Sequence, residues 1–243
     1  MAEKQQTSSK PPGKSGYKQA RKELRQKEQK RMRTIMWTTG IVVVLLIVAA
    51  IAFLPKQAPL EFAYDKYPVM GKPDAPVKIV EYGDYKCPSC KVFSQQIAPQ
   101  LKKDYVDKGL VSLYFADFTI IGPDSVTAAL AAHSIFHQNN EAYWQFYDAI
   151  YKNQPDEKLP WATPDYLTGL VKQLNLPIDF GKLQQDIASK TYASEIDASN
   201  ALARKTGVTG TPTLFINGKK FENVFDYNAL KAAIDQAAKG AGQ

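Results

Sequence analysis

Cys87 and Cys90, two residues apart, are the only cysteines in a chain of 243 residues. A structural disulfide framework draws its stabilisation from closing long loops, and a bridge over two residues closes almost none. A tetrahedral zinc site would need two more Cys or His ligands, and none lies near in sequence. Redox chemistry remains. At the C-x-x-C spacing one thiol attacks a partner and the other resolves the product. The competing reading is a pair of inert thiols, since free cysteine is commonly buried.

The flanking residues argue against inertness. Val77, Ile79 and Glu81 share one face of a period-2 strand, with Val80 and Tyr82 on the other. Gly83 to Lys86 makes a turn. From Pro88 the apolar spacing becomes helical through Val92, Phe93, Ile97 and Leu101, running to about Tyr105. Proline suits the first helical position because the amide it lacks would be unpaired there. This predicts Cys87 at a helix N-terminus, where free N–H groups and the macrodipole favour an anion. Cys90, one turn further in, is predicted to be the more buried thiol.

Residues 1–33 carry eleven Lys and Arg against three Glu, and the whole chain is +7. Everything after Arg33 is therefore close to neutral, so the basic character belongs to a tail. Tyr17 to Arg33 fits a charged helix without an apolar face. Ile35 to Leu54 is twenty residues without a charge, enough at 1.5 Å per residue to cross a hydrocarbon layer of ~30 Å. A basic flank before a span is explained by the positive-inside rule, with no nucleic acid required. The reading is a cytoplasmic tail over 1–33, a single-pass anchor over 34–54, a linker over 55–66 and an extracytoplasmic domain over 67–243. A signal peptide cleaved after Ala52 is the nearer competitor.

Within the domain, Leu110 to Phe115 reads as a second strand, followed by almost ninety residues of helical character. Thr163, before Pro164 and Asp165, is a natural N-cap, and further helices are expected near 140–151, 178–189 and 192–206. Strand character returns at Thr213 to Ile216. Asn217-Gly218 signals a type I′ hairpin leading to Phe221. Asp226 is expected to cap a last helix with Leu230, Ala233, Ile234 and Ala237 inward and Gly240 past its end. Glu61-Phe62 and Val69-Met70 fit a short strand or hairpin. His133 and His137, four apart on a predicted helix, have a spacing that can hold a metal, but sequence supplies no further ligands, and no metal is assigned.

The segment from Val80 to Phe93, Val-Glu-Tyr-Gly-Asp-Tyr-Lys-Cys-Pro-Ser-Cys-Lys-Val-Phe, resembles the DsbA-like thiol–disulfide oxidoreductases of the thioredoxin superfamily. It is most similar to their membrane-anchored Gram-positive members, the BdbD type, from about residue 67 onward. The resemblance implies an α/β thioredoxin fold with a helical insertion over about 118–206. It also implies that Pro212 is a cis-proline facing the cysteines, although X–Pro bonds are mostly trans. The Thr211 backbone would then pair with an extended substrate. Glu81, six residues before Cys87, matches a family acid that exchanges a proton with Cys90. Burial would raise its pKa; the bland alternative is a misjudged face with Glu81 in solvent. Pro88 and Ser89 complete the motif, with Ser89 where the best-known family member has histidine.

The activity so implied is disulfide formation in exported proteins bearing free thiols. A monomer would carry it out, needing no cofactor beyond the Cys87–Cys90 disulfide. The expected partner is a quinone-linked membrane reoxidant of the DsbB/BdbC kind. Some Gram-positive relatives hold a structural calcium ion, for which this sequence offers no assignable ligands. The rivals are a membrane-tethered reductase or isomerase, and a non-catalytic thioredoxin-like binding or chaperone module.

Overall fold

The computed structural model describes residues 14–53 and 59–241. They fall into two units that divide after Ala58. The first thirteen residues of the basic tail and the stretch 54–58 lie outside the described residues.

The first unit is one helix, α1 (Lys14–Phe53), so the charged segment and the apolar segment form a single continuous rod. Among the described residues it is the one helix long and apolar enough to cross a membrane. Its large apolar side chains, Ile35 to Trp37 and Ile41 to Val48, are exposed, as a surface that meets lipid requires.

The second unit is built on a five-stranded sheet of order β1-β3-β2-β4-β5. The strands are β1 (Val69–Met70), β2 (Val77–Gly83), β3 (Val111–Asp117), β4 (Thr213–Ile216) and β5 (Lys219–Phe221). Strands β2 and β3 pair in parallel, and every other pairing is antiparallel. The parallel crossover is the helical run α2 (88–106), in which α-helical Pro88–Val92 and Ala98–Leu101 alternate with π-helical Phe93–Ile97 and Lys102–Val106.

Between β3 and β4 come α3 (Pro123–Gln138), α4 (Asn140–Lys152), α5 (Pro164–Gln173), α6 (Phe180–Ser189) and α7 (Ala193–Lys205). Thr163 caps α5, its side chain accepting from the Tyr166 amide. The last helix is α8 (Tyr227–Ala241). It runs through Gly240, which sequence reasoning had placed beyond its end. Asp226 does cap it, accepting from the Ala229 amide at 3.0 Å.

The sheet is covered on both faces, as a strand with both sets of side chains apolar demands. Val77 and Ile79 pack with Phe93, Leu101, Leu230 and Ile234 from α2 and α8. Val80, Tyr82 and Phe215 pack with Ala203 of α7 and with Phe62. Phe62 belongs to the stretch read above as linker or strand. It forms no strand, yet it is buried on the sheet. Just before it, the Leu60 amide donates to the Gly218 carbonyl at 2.9 Å. Asn217 and Gly218 both have positive φ, 44° and 75°, as a type I′ turn requires. Cys87, Cys90 and Tyr85 join Phe115 and the insertion helices in a third core. The thiols therefore stand where sheet, α2 and insertion meet.

Candidate active site

Cys87 ends the turn after β2 and is the N-cap of α2. The turn is held by Asp84. Its carboxylate accepts from the Lys86, Ile120 and Ile121 amides at 2.8–2.9 Å, and its carbonyl accepts from the Cys87 amide at 2.9 Å. Close packing is needed as well: a Cβ at Gly83 would lie 2.4 Å from the Phe115 ring. Cys87 and Cys90 are both free thiols, 5% and 0% exposed respectively. Cys90 is thus the deeper of the pair.

The two sulfurs are pulled in opposite directions. The hydrogen bond from Cys90 lowers Cys87 most. The Cys90 and Ser89 amides add to it, and against burial they bring the thiol down to about 6. An ordinary thiol near 8.5 is a few per cent ionised at neutral pH, whereas a value of about 6 leaves roughly nine-tenths as thiolate. Burial first, then the neighbouring Cys87, push Cys90 well above the usual thiol range. Ser89 contributes through its amide; its side chain lies at the surface.

The peptide bond between Thr211 and Pro212 is cis. The Thr211 carbonyl accepts from the Cys87 thiol at 3.3 Å. Thr211 and Pro212 are half-buried beside it, so the backbone expected to pair with a substrate does border the sulfur.

Glu81 lies on the same side of β2 as Val77 and Ile79 and is 0% exposed, which disposes of the solvent-facing alternative. One carboxyl oxygen accepts from the Tyr147 hydroxyl at 2.7 Å, and the other has no partner. Burial, tempered by that hydrogen bond, raises its pKa to about 8, so roughly nine-tenths of it is protonated at pH 7. A buried acid that still holds its proton at neutral pH can donate to Cys90 and take the proton back.

A Thioredoxin family model matches residues 64–236. The probable disulfide bond formation protein D of Bacillus cereus is 39% identical over 178 residues, covering 73% of this chain and 82% of that protein. The disulfide bond formation protein D of Bacillus subtilis is 38% identical over 173 residues, covering 71% and 78%. The chain belongs to the BdbD type of DsbA-like thioredoxin-fold proteins. The crystal structure of oxidised BdbD from Bacillus subtilis superposes with a TM-score of 0.71 at 36% identity, covering 75% of this chain and 98% of that one. The structure of Chlamydia trachomatis DsbA shares the fold at a TM-score of 0.66 and 24% identity, covering 79% and 100%.

Around this BdbD-type site the structure adds residues that sequence reasoning passed over. Tyr147 reads in sequence as plain core, and its periodicity on an amphipathic helix gives no hint of a hydroxyl aimed at Glu81. Gln154 donates its amide to the Tyr85 carbonyl at 2.9 Å and the Cys87 carbonyl at 3.1 Å, pinning the turn from the insertion side. Lys86, 3% exposed, pairs with Asp124 at 2.6 Å and donates to the Leu159 carbonyl at 3.0 Å. A lysine beside a C-x-x-C was a possible signal, since an immobilised cation favours a thiolate. Its ammonium is directed to Asp124 at the start of α3, however, so it ties the turn to the insertion.

His133 and His137 do share a face of α3, and a carboxylate from α7 joins them. Glu195 accepts from both rings, at 3.2 and 2.8 Å.

Proposed function

We propose that the chain is a membrane-anchored dithiol oxidase that introduces disulfide bonds into exported proteins. A substrate thiolate attacks the sulfur of Cys87 in the Cys87–Cys90 disulfide. The new intermolecular S–S bond forms as the intramolecular one breaks, and Cys90 leaves as a thiolate that takes a proton from Glu81. The substrate's second thiolate then attacks the substrate's first sulfur in the mixed disulfide, closing the substrate S–S bond and expelling Cys87 as thiolate. Two substrate thiols are oxidised, and the enzyme disulfide is reduced to a dithiol. The Thr211 backbone holds the substrate extended across the site. One chain carries Glu81, Cys87, Cys90, Thr211 and Pro212 together, which supports a monomer that acts with the Cys87–Cys90 disulfide as its redox group.

The observation that carries this reading is the opposed setting of the two sulfurs. A stabilised Cys87 thiolate is a good leaving group and favours the reduced enzyme, which makes the pair oxidising. Return to the disulfide then requires an external acceptor, and a quinone-linked membrane protein of the DsbB/BdbC kind has the required chemistry. The basic segment preceding the apolar stretch of α1 supports a cytoplasmic N-terminus, with residues from Pro59 onward outside. Equilibration with glutathione tests the direction. A potential near −120 mV is expected of an oxidase, and one near −270 mV would make the chain a reductase.

A further inference from the structure

The structural calcium ion that the family resemblance implies is a hard cation that takes six to eight oxygen ligands. Among the described residues one group brings metal-ligand atoms within 4.8 Å of one another: His133, His137 and Glu195. Two of its three donors are imidazole nitrogens, so the group does not fit calcium. It fits a borderline ion, for which imidazole with a carboxylate is a favoured set.

Four features indicate more than a chance meeting of charges. His133 uses Nε2 on Asp117 at 2.7 Å, which leaves Nδ1 toward Glu195. A ligating histidine characteristically rests its other nitrogen on a carboxylate in this way, fixing the tautomer and the ring. The Asp117 carboxylate bonds His133 alone, its second oxygen being buried without a partner. The ring of Tyr192 stacks on His137 with centroids 4.4 Å apart and planes 9° apart, holding the second imidazole in plane. Finally, a cavity of ≈ 340 Å³ opens beside the group, lined by Asp117, His133, Glu195 and Ser199 but not by His137. The sequence pattern had supplied only the two histidines, and the fold adds a carboxylate 58 residues beyond His137.

We propose that His133 Nδ1, His137 Nε2 and a Glu195 carboxylate oxygen bind a divalent ion of the zinc class, which pins α3 to α7. Asp117, the last residue of β3, orients His133 and is not itself a ligand. It pairs across the sheet with Gly83 at the end of β2, so the site is anchored on the sheet edge that carries the redox turn.

The test uses the untagged full chain in detergent, stripped with a chelator, with Cys87 and Cys90 oxidised so that their thiolates cannot take the metal. Zinc chloride alone is titrated by calorimetry, and thermal unfolding is followed with zinc or with calcium. The expectation is one equivalent of zinc bound, a higher melting temperature with zinc and none with calcium. In His137→Ala and in Glu195→Gln, binding should weaken by more than roughly 100-fold, beyond the 10- to 100-fold typical of losing only an outer-shell partner. His137 is exposed and Glu195 half-exposed, and an unchanged melting temperature of the metal-free variants checks that they fold. Unchanged melting with zinc, equal affinity in both variants, or equal stabilisation by calcium would each overturn the proposal.

Discussion

The pair of sulfurs is governed by groups that can each be removed. The thiolate absorbance of reduced protein should titrate with a midpoint of about 6 for Cys87, and in Cys90→Ala it should move up, because the largest contributor is gone. A midpoint near 8.5 in the parent protein would sink the oxidase mechanism. The folded value lies below the unfolded one of 9.0. The stability this gives the reduced protein is full above that unfolded value and is lost as pH falls through about 6. Reduced protein should therefore gain on oxidised protein as pH rises across that window, and it should melt above it at pH 7 to 8.

Glu81 has the opposite sign. Its folded value of about 8 exceeds the ordinary 4.5 of an unfolded glutamate, so stability is full below 4.5 and declines as pH rises through 8. Glu81→Gln abolishes that decline, and denaturant melts of variant and parent should diverge across this range in the variant's favour. The same change should slow thiol exchange at Cys90 on the order of 100-fold, a modest general acid–base effect. Tyr147→Phe removes the bond that lowers Glu81, pushes the acid higher still and costs about 1–3 kcal/mol. At this scale sequence showed much: spacing exposed the cysteines and strand parity turned Glu81 inward. Tyr147 and Gln154 escaped because a side-chain partner 66 or 67 residues distant leaves no local pattern.

Among the elements, the turn before α2 is fastened to the insertion by Lys86 and Asp124. Breaking a buried pair strands the remaining charge, at a typical cost of ~3–5 kcal/mol. Because Asp124 is partly exposed, Lys86→Ala should fall at the lower end, about 3 kcal/mol by chemical denaturation. The loss should loosen the nucleophile's turn without removing any group that touches sulfur. Most elements were legible because their local signals agree with their burial: Thr163 and Asp226 as caps, Asn217-Gly218 as a turn, alternation in β2. The π-helical stretches of α2 were not, since residue spacing does not separate them from ordinary helix. Val69-Met70, read as a short strand, is β1, paired with Tyr114 and Leu113. Gly240 misled because glycine after an apolar periodicity marks a stop, but the last turn of α8 continues past it.

For the molecule as a whole, residues from Pro59 onward form a unit with its own cores. Removing residues 1–58 should transfer the protein from the membrane to the soluble fraction and leave its glutathione potential unchanged; a shifted potential would show that α1 supports the site. The seam between Leu60 and Gly218 has a mechanical meaning. A Cβ on Gly218 would come within 2.2 Å of the Leu60 carbonyl oxygen, so the incoming chain is clamped beneath the β4–β5 hairpin. The neighbouring Asn217 amide is bound to the Lys78 carbonyl, five residues before the end of β2, or roughly 16 Å at 3.3 Å per residue. The leash is thus fastened at the heel of the sheet while the sulfurs work at its toe. The Leu60–Gly218 main-chain bond holds the entering chain apart from the reactive turn, so lengthening the sequence before Pro59 should change which partners come within reach and leave the chemistry as it was.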